Sequence, residues 1–225
     1  MSSMNMTLVV ARKEIKNIIK NKGLLVGSAW IGGSFGILFS TQASSLDNAV
    51  FSMALLVGVL VGYMFSGQVF MREKRQRVIE TLLCTPLNLK SIWFGKVVGA
   101  TIPAYLISLL TVALVTIVSN IMLHSLLFPS VVILTHILVV VPVFIASAIG
   151  LMGFCQFLFG MRENKIIGYL IVLGYFPFII PSIIGSLVVS WVEVVVYLCV
   201  SVLLLALTTY LSRYLSKEKI VTTIE

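Results

Sequence analysis

Six long stretches of this chain contain no lysine, arginine or aspartate: 24–40, 49–70, 97–121, 131–159, 166–187 and 192–211. An α-helix of about 20 mainly apolar residues is what the hydrocarbon core of a bilayer requires. A spanning segment must satisfy its own backbone N–H and C=O groups, which leaves helices for runs of this length. The expectation is an all-α integral membrane protein with six transmembrane helices in a single domain over 1–225. Glu193 is the one acid inside these limits, at the mouth of the last run, where its carboxylate can remain in the interface. Composition agrees: 59% of residues are apolar and 11% charged, where a soluble domain has about a quarter charged, and the mean hydropathy is +1.10. A soluble enzyme is excluded on these grounds.

The basic residues alternate between connections. Arg12, Lys13, Lys16, Lys20 and Lys22 precede the first run, and Arg72, Lys74, Arg75, Arg77, Lys90 and Lys96 separate the second from the third. Arg162 and Lys165 lie between the fourth and fifth, and Arg213, Lys217 and Lys219 follow the sixth. The other three connections hold no Lys or Arg. The positive-inside rule then puts both termini in the cytoplasm, in a multi-pass protein of the plasma or inner membrane. The net charge of +8 is accounted for by orientation and lipid-headgroup contact. No basic stripe interleaved with aromatics points to nucleic acid. The length of the basic stretch and of the apolar run after it fits a retained span better than a cleaved secretory signal. Cys84, Cys155 and Cys199 have no paired spacing, so neither disulfides nor a metal site is expected.

Within the second run Ala54, Gly58, Gly62 and Ser66 recur every four residues and make a small-residue stripe for close helix packing; Gly95 and Gly99 repeat that spacing at the start of the third. Pro103, Pro142, Pro177 and Pro181 fall within spans, and the last two break the fifth run, as a kink or as a helix that turns back. Ion-coupled pumps keep ionisable groups at membrane depth, whereas here only His136, Gln68, Gln156 and hydroxyls are present. His136 reads as an interfacial or helix-bonding residue and His124 as solvated surface. No nucleophile stands at a recognisable spacing from a base, so catalysis within this chain is not expected.

Two cytoplasmic elements are amphipathic. Residues 8–20 place Leu8, Ala11, Ile15 and Ile18 on one face and Arg12, Lys16 and Lys20 on another, which suits a helix along the inner membrane surface. In the segment 72–96, Val78, Ile79, Leu82 and Leu83 fall together, opposite Glu73, Arg77 and Glu80. Thr85 before Pro86 ends that helix, because the residue preceding proline is driven out of the helical region. An apolar face this short needs a partner.

The segment resembles the loop after the second span in type-2, export-class permease subunits of ABC transporters. There a glutamate-containing short helix with Glu-x-Leu-Leu, then Thr or Ser and Pro, is followed by Gly-Lys opening the third span. Here those positions are Glu73, Glu80, Leu82, Leu83, Thr85, Pro86, Gly95 and Lys96. The resemblance extends to an Ala-Arg-Lys-Glu helix before the first span, at Ala11, Arg12, Lys13 and Glu14, with Lys16 following, and to the proline-broken fifth run. It implies that Glu73, Arg77, Glu80, Leu82, Leu83, Thr85 and Pro86 form a coupling helix that docks on a separate ABC ATPase. It implies also that the helix bearing Arg12, Lys13, Glu14 and Lys16 lies beside it, and that a second permease subunit, the same or related, completes the path. ATP and magnesium would belong to the ATPase: a phosphate-binding loop needs Gly-Lys followed by Ser or Thr, and Val97 follows Lys96 here. The short, hydrophobic connection between the fifth and sixth runs departs from members with a large external domain there. A channel, a secondary transporter or a membrane assembly subunit without an ATPase partner is the alternative.

Overall fold

With most of each run unable to hydrogen-bond to water, the backbone closes on itself, and the regular structure among the described residues is helical throughout. The computed structural model describes residues 3–42, 46–76, 89–124, 128–159, 166–175, 177 and 189–214. In chain order the helices are α1 (Ser3–Lys20), α2 (Lys22–Gln42), α3 (Leu46–Arg75), α4 (Leu89–Leu123), α5 (Val131–Leu158), α6 (Ile166–Tyr175) and α7 (Trp191–Tyr214). Four are long and apolar enough to cross a membrane: α3, α4 (as Leu89–Met122), α5 and α7. Lys22–Leu38 of α2, and α6, are shorter apolar helices.

The helix α3 is the centre of the bundle. Its most apolar stretch is 83% buried within the protein, against 22% for α7, which packs on α5 at the periphery. Around α3 stand α2, α4 and α5, and α1 lies chiefly against α4. The small-residue stripe explains the closeness: a Cβ added at Gly58 would stand 2.8 Å from Ile145 Cγ1, and one at Gly62 3.2 Å from Ile149 Cγ1, so α5 lies directly on these glycines. Ser108 of α4 donates to Ala54 O at 2.7 Å on the same stripe.

Two helices contain a π-helical turn, Gly67–Met71 in α3 and His136–Val140 in α5. Such a turn takes an additional residue and shifts the register of everything beyond it. In α5 it comes just before Pro142, which has no N–H to offer the preceding turn. In α3 it comes just before Glu73 and Lys74.

Several boundaries differ from those read in the sequence. The third apolar run begins at 97, yet α4 begins at Leu89, and Arg72–Arg75 continue α3. Both ends of the segment 72–96 are therefore parts of long helices, because packing continues past the apolar run. The buried face of α1 is Ala11, Glu14 and Ile18, while Leu8 is 60% exposed and Ile15 half-buried. A carboxylate takes the place expected for an apolar side chain, for a reason found in α4. His136 makes no helix-to-helix hydrogen bond: it is buried, stacked on Phe51 with ring centroids 4.0 Å apart, and neither ring nitrogen has a hydrogen-bond partner. Glu193 accepts a hydrogen bond from Ser190 N at 3.1 Å at the start of α7. His124 ends α4 in the left-handed conformation, with φ 47°. Pro177 is helical, and Pro181 lies outside the described residues.

Candidate functional site: a buried ion cluster at the base of the 77–88 segment

The site is built by the approach of α1 to α4. Gly95 and Gly99 present no side chain where α1 crosses. A Cβ at Gly95 would come within 2.7 Å of Val10 Cβ and 2.9 Å of Thr7 O, and one at Gly99 within 3.0 Å of Ala11 O. Backbone atoms cannot yield as a flexible side chain can, so the pair fixes how closely the helices approach. That closeness carries Glu14, 3% exposed, to the side of Lys96, 1% exposed.

Lys96 is the hub. Its Nζ donates to Val69 O at 2.7 Å, and stands 2.8 Å from Glu73 Oε2 and 3.5 Å from Glu14 Oε1. The two carboxylate contacts are charge pairing without well-aligned hydrogen bonds, and the aligned bond is the one to Val69. The Phe70 ring lies 5.6 Å below the ammonium. Glu73 also accepts from Lys13 Nζ at 3.2 Å on the exposed side of the cluster. Two lysines thus balance two glutamates, which is what a charge removed from water requires. The cluster joins α1, α3 and α4.

Lys74, 1% exposed, does a different job beside it. Its Nζ donates to Phe159 O at 2.6 Å and reaches Gln156 O and Phe157 O at 3.5 Å, so a cation sits on the terminal carbonyls of α5. Carbonyls left unpaired at a helix C-terminus, and the negative end of its dipole, are stabilised by a cation in this position. Gln156 Nε2 donates to Ser66 Oγ at 3.3 Å and ties α5 to α3 a turn deeper.

Of the residues singled out in the sequence, Lys13, Glu14, Glu73 and Lys96 are brought together. Arg12 and Lys16 are exposed on the far side of α1. Arg77, Glu80, Leu82, Leu83, Thr85 and Pro86 lie outside the described residues. Lys74 was legible only as positive charge between two apolar runs, and Lys96 as that and as the lysine of the Gly-Lys pair, with nothing to say that it is buried. The signal for Lys96 was its place next to Gly95 and Gly99, since a lysine on a helix that another helix must touch closely cannot reach water freely. Among the described residues no three His, Cys, Asp or Glu side chains converge as a metal site would require. The cluster offers no nucleophile. What it can do is hold three helices as one unit.

No protein-family model matches the chain, and no curated protein matches it.

Proposed function

We propose that this chain is the membrane-spanning subunit of an ATP-driven exporter, and that the 77–88 segment is its docking element for a separate ATPase. The observation that carries the reading is the Glu73–Lys96 pair at 2.8 Å. Glu73 belongs to the last turn of the helix entering that segment, and Lys96 to the second turn of the helix leaving it. A push on the segment is therefore received by α3, α4 and, through Glu14, α1 together. Coupling of this kind acts by shifting a conformational equilibrium, and it needs a rigid base.

In this reading α2 and the fifth apolar run complete six spans, and both ends of the chain lie on the cytoplasmic side of the cell membrane. A second subunit, alike or related, faces this one across the substrate path. ATP and magnesium are handled by the partner. The nearly charge-free spans favour an amphiphilic or apolar cargo. Gentle purification of the tagged chain, with identification of co-eluting proteins and an assay for ATP hydrolysis, tests the reading. A stoichiometric partner with a phosphate-binding loop supports it, and a chain that elutes alone and inert from several mild detergents refutes it.

Secondary transport is the second reading, favoured by the buried, unpartnered His136. The rings against it are Phe51 and Tyr197, and neither is an ion-binding group.

A further inference from the structure

Beside the ion cluster an open cleft of about 870 Å³ enters the bundle between the end of α1 with Asn21, α3 and the end of α5. Among the described residues its charged lining is Lys20, Arg72 and Arg75, with no carboxylate. Asn17, Asn21, Gln68 and Gln76 supply amides, and Tyr63 and Met64 form the deeper, less polar wall. Among the described residues the ion pairs of this region are those of Lys13 and Lys96, and none involves Lys20, Arg72 or Arg75. Glu14 and Glu73 line an adjoining cavity of about 170 Å³ that shares Asn17, Gln68, Arg72 and Gln76 with the cleft, and their charges are already met by Lys96 and Lys13. The large cleft therefore keeps its positive field.

We infer that this cleft binds a phosphate-type anion, the headgroup of an acidic lipid being the source its size and walls fit best. Two guanidinium groups and an ammonium suit a phosphate's oxygens, arginine by its planar pair of donors. Basic pockets between spanning helices are where acidic headgroups are held. The volume lies within the range of small-molecule sites, about 300–1,000 Å³, and the Tyr63 and Met64 wall suits the glycerol and upper acyl part rather than a bare ion. This inference does not depend on the exporter reading.

The test uses the full chain, purified in a neutral detergent and stripped of lipid. Binding is measured by native mass spectrometry with phosphatidylglycerol, with phosphatidylcholine of the same acyl chains, and with glycerol phosphate. One phosphatidylglycerol per chain is expected to be held in preference to phosphatidylcholine. Arg72→Gln with Arg75→Gln should weaken it about thirtyfold. Arg12→Gln with Lys16→Gln, which removes as much charge from the outer face of α1, should leave it nearly unchanged. A second variant leaves every charge in place: Gly67 lines the cleft and a Cβ there meets nothing within 4 Å, so Gly67→Leu starts in open space, adds bulk to the cleft and should also abolish binding. Glycerol phosphate binding as tightly, with the same arginine dependence, keeps the anion site and assigns its source to solution. Equal retention of phosphatidylcholine, or equal loss in the Arg12 and Lys16 variant, overturns the site in favour of diffuse surface charge.

Discussion

Glu14 reaches Lys96 at 3.5 Å because Gly99, one turn along α4, lets α1 come so close that a Cβ there would touch Ala11 O at 3.0 Å. The charge pair and the glycine are thus one device. Without the small residues the carboxylate would stay in water, and Lys96 would be buried with Glu73 alone.

Removing one member of the buried cluster strands the other. Lys96→Met should cost about 3 kcal/mol or more, and Lys96→Met with Glu73→Gln should recover a substantial part of that loss. Unfolding of the detergent-solubilised chain, carried out as a double-mutant cycle, measures the coupling. Strict additivity of the two changes would mean that the pair is not formed.

Gly99→Ala should loosen α1, whereas Gly33→Ala should be neutral, because a Cβ at Gly33 meets nothing within 4 Å. Limited proteolysis of α1 in the two variants distinguishes them: faster cleavage is expected for Gly99→Ala alone. Equal protection in both would contradict the close crossing.

His136→Phe should be neutral or stabilising, by about 1 kcal/mol, since a buried imidazole with no partner costs free energy that a phenyl ring stacked on Phe51 does not. His136→Ala should destabilise, because it leaves a void against Phe51. Thermal melting of both variants is the check, and a His136→Phe protein that melts well below the unaltered chain would contradict it.

Lys74→Met should fray the end of α5 and cost about 1–3 kcal/mol, because the carbonyl of Phe159 loses the Lys74 ammonium at 2.6 Å. Hydrogen exchange at the last turn of α5 should rise while that of α3 stays protected. Unchanged exchange would show that the terminal carbonyls are satisfied in another way.

The apolar runs at 49–70, 97–121, 131–159 and 192–211 foretold α3, α4, α5 and α7, because length and lack of charge decide a spanning helix locally. The contact stripe at Ala54, Gly58, Gly62 and Ser66 was legible for the same reason, as a spacing within one helix. The burial and pairing of Lys96 and Glu73 were not. In sequence each is an interfacial charge flanking a loop, and their burial follows only from three helices converging, with a π-helical turn at Gly67–Met71 setting the register of Glu73. His136 was misread on similar grounds: nothing near it in sequence says that Phe51, from another helix, covers its ring.

The docking role of the 77–88 segment is tested most directly by a quantitative pull-down from native membranes, comparing the unaltered chain with Leu82→Asp. The account predicts that an ATP-hydrolysing partner co-elutes with the unaltered chain and is lost with Leu82→Asp, while the variant inserts and melts normally. Retention of the same partner and the same hydrolysis by Leu82→Asp, or the absence of any such partner from both, would contradict it.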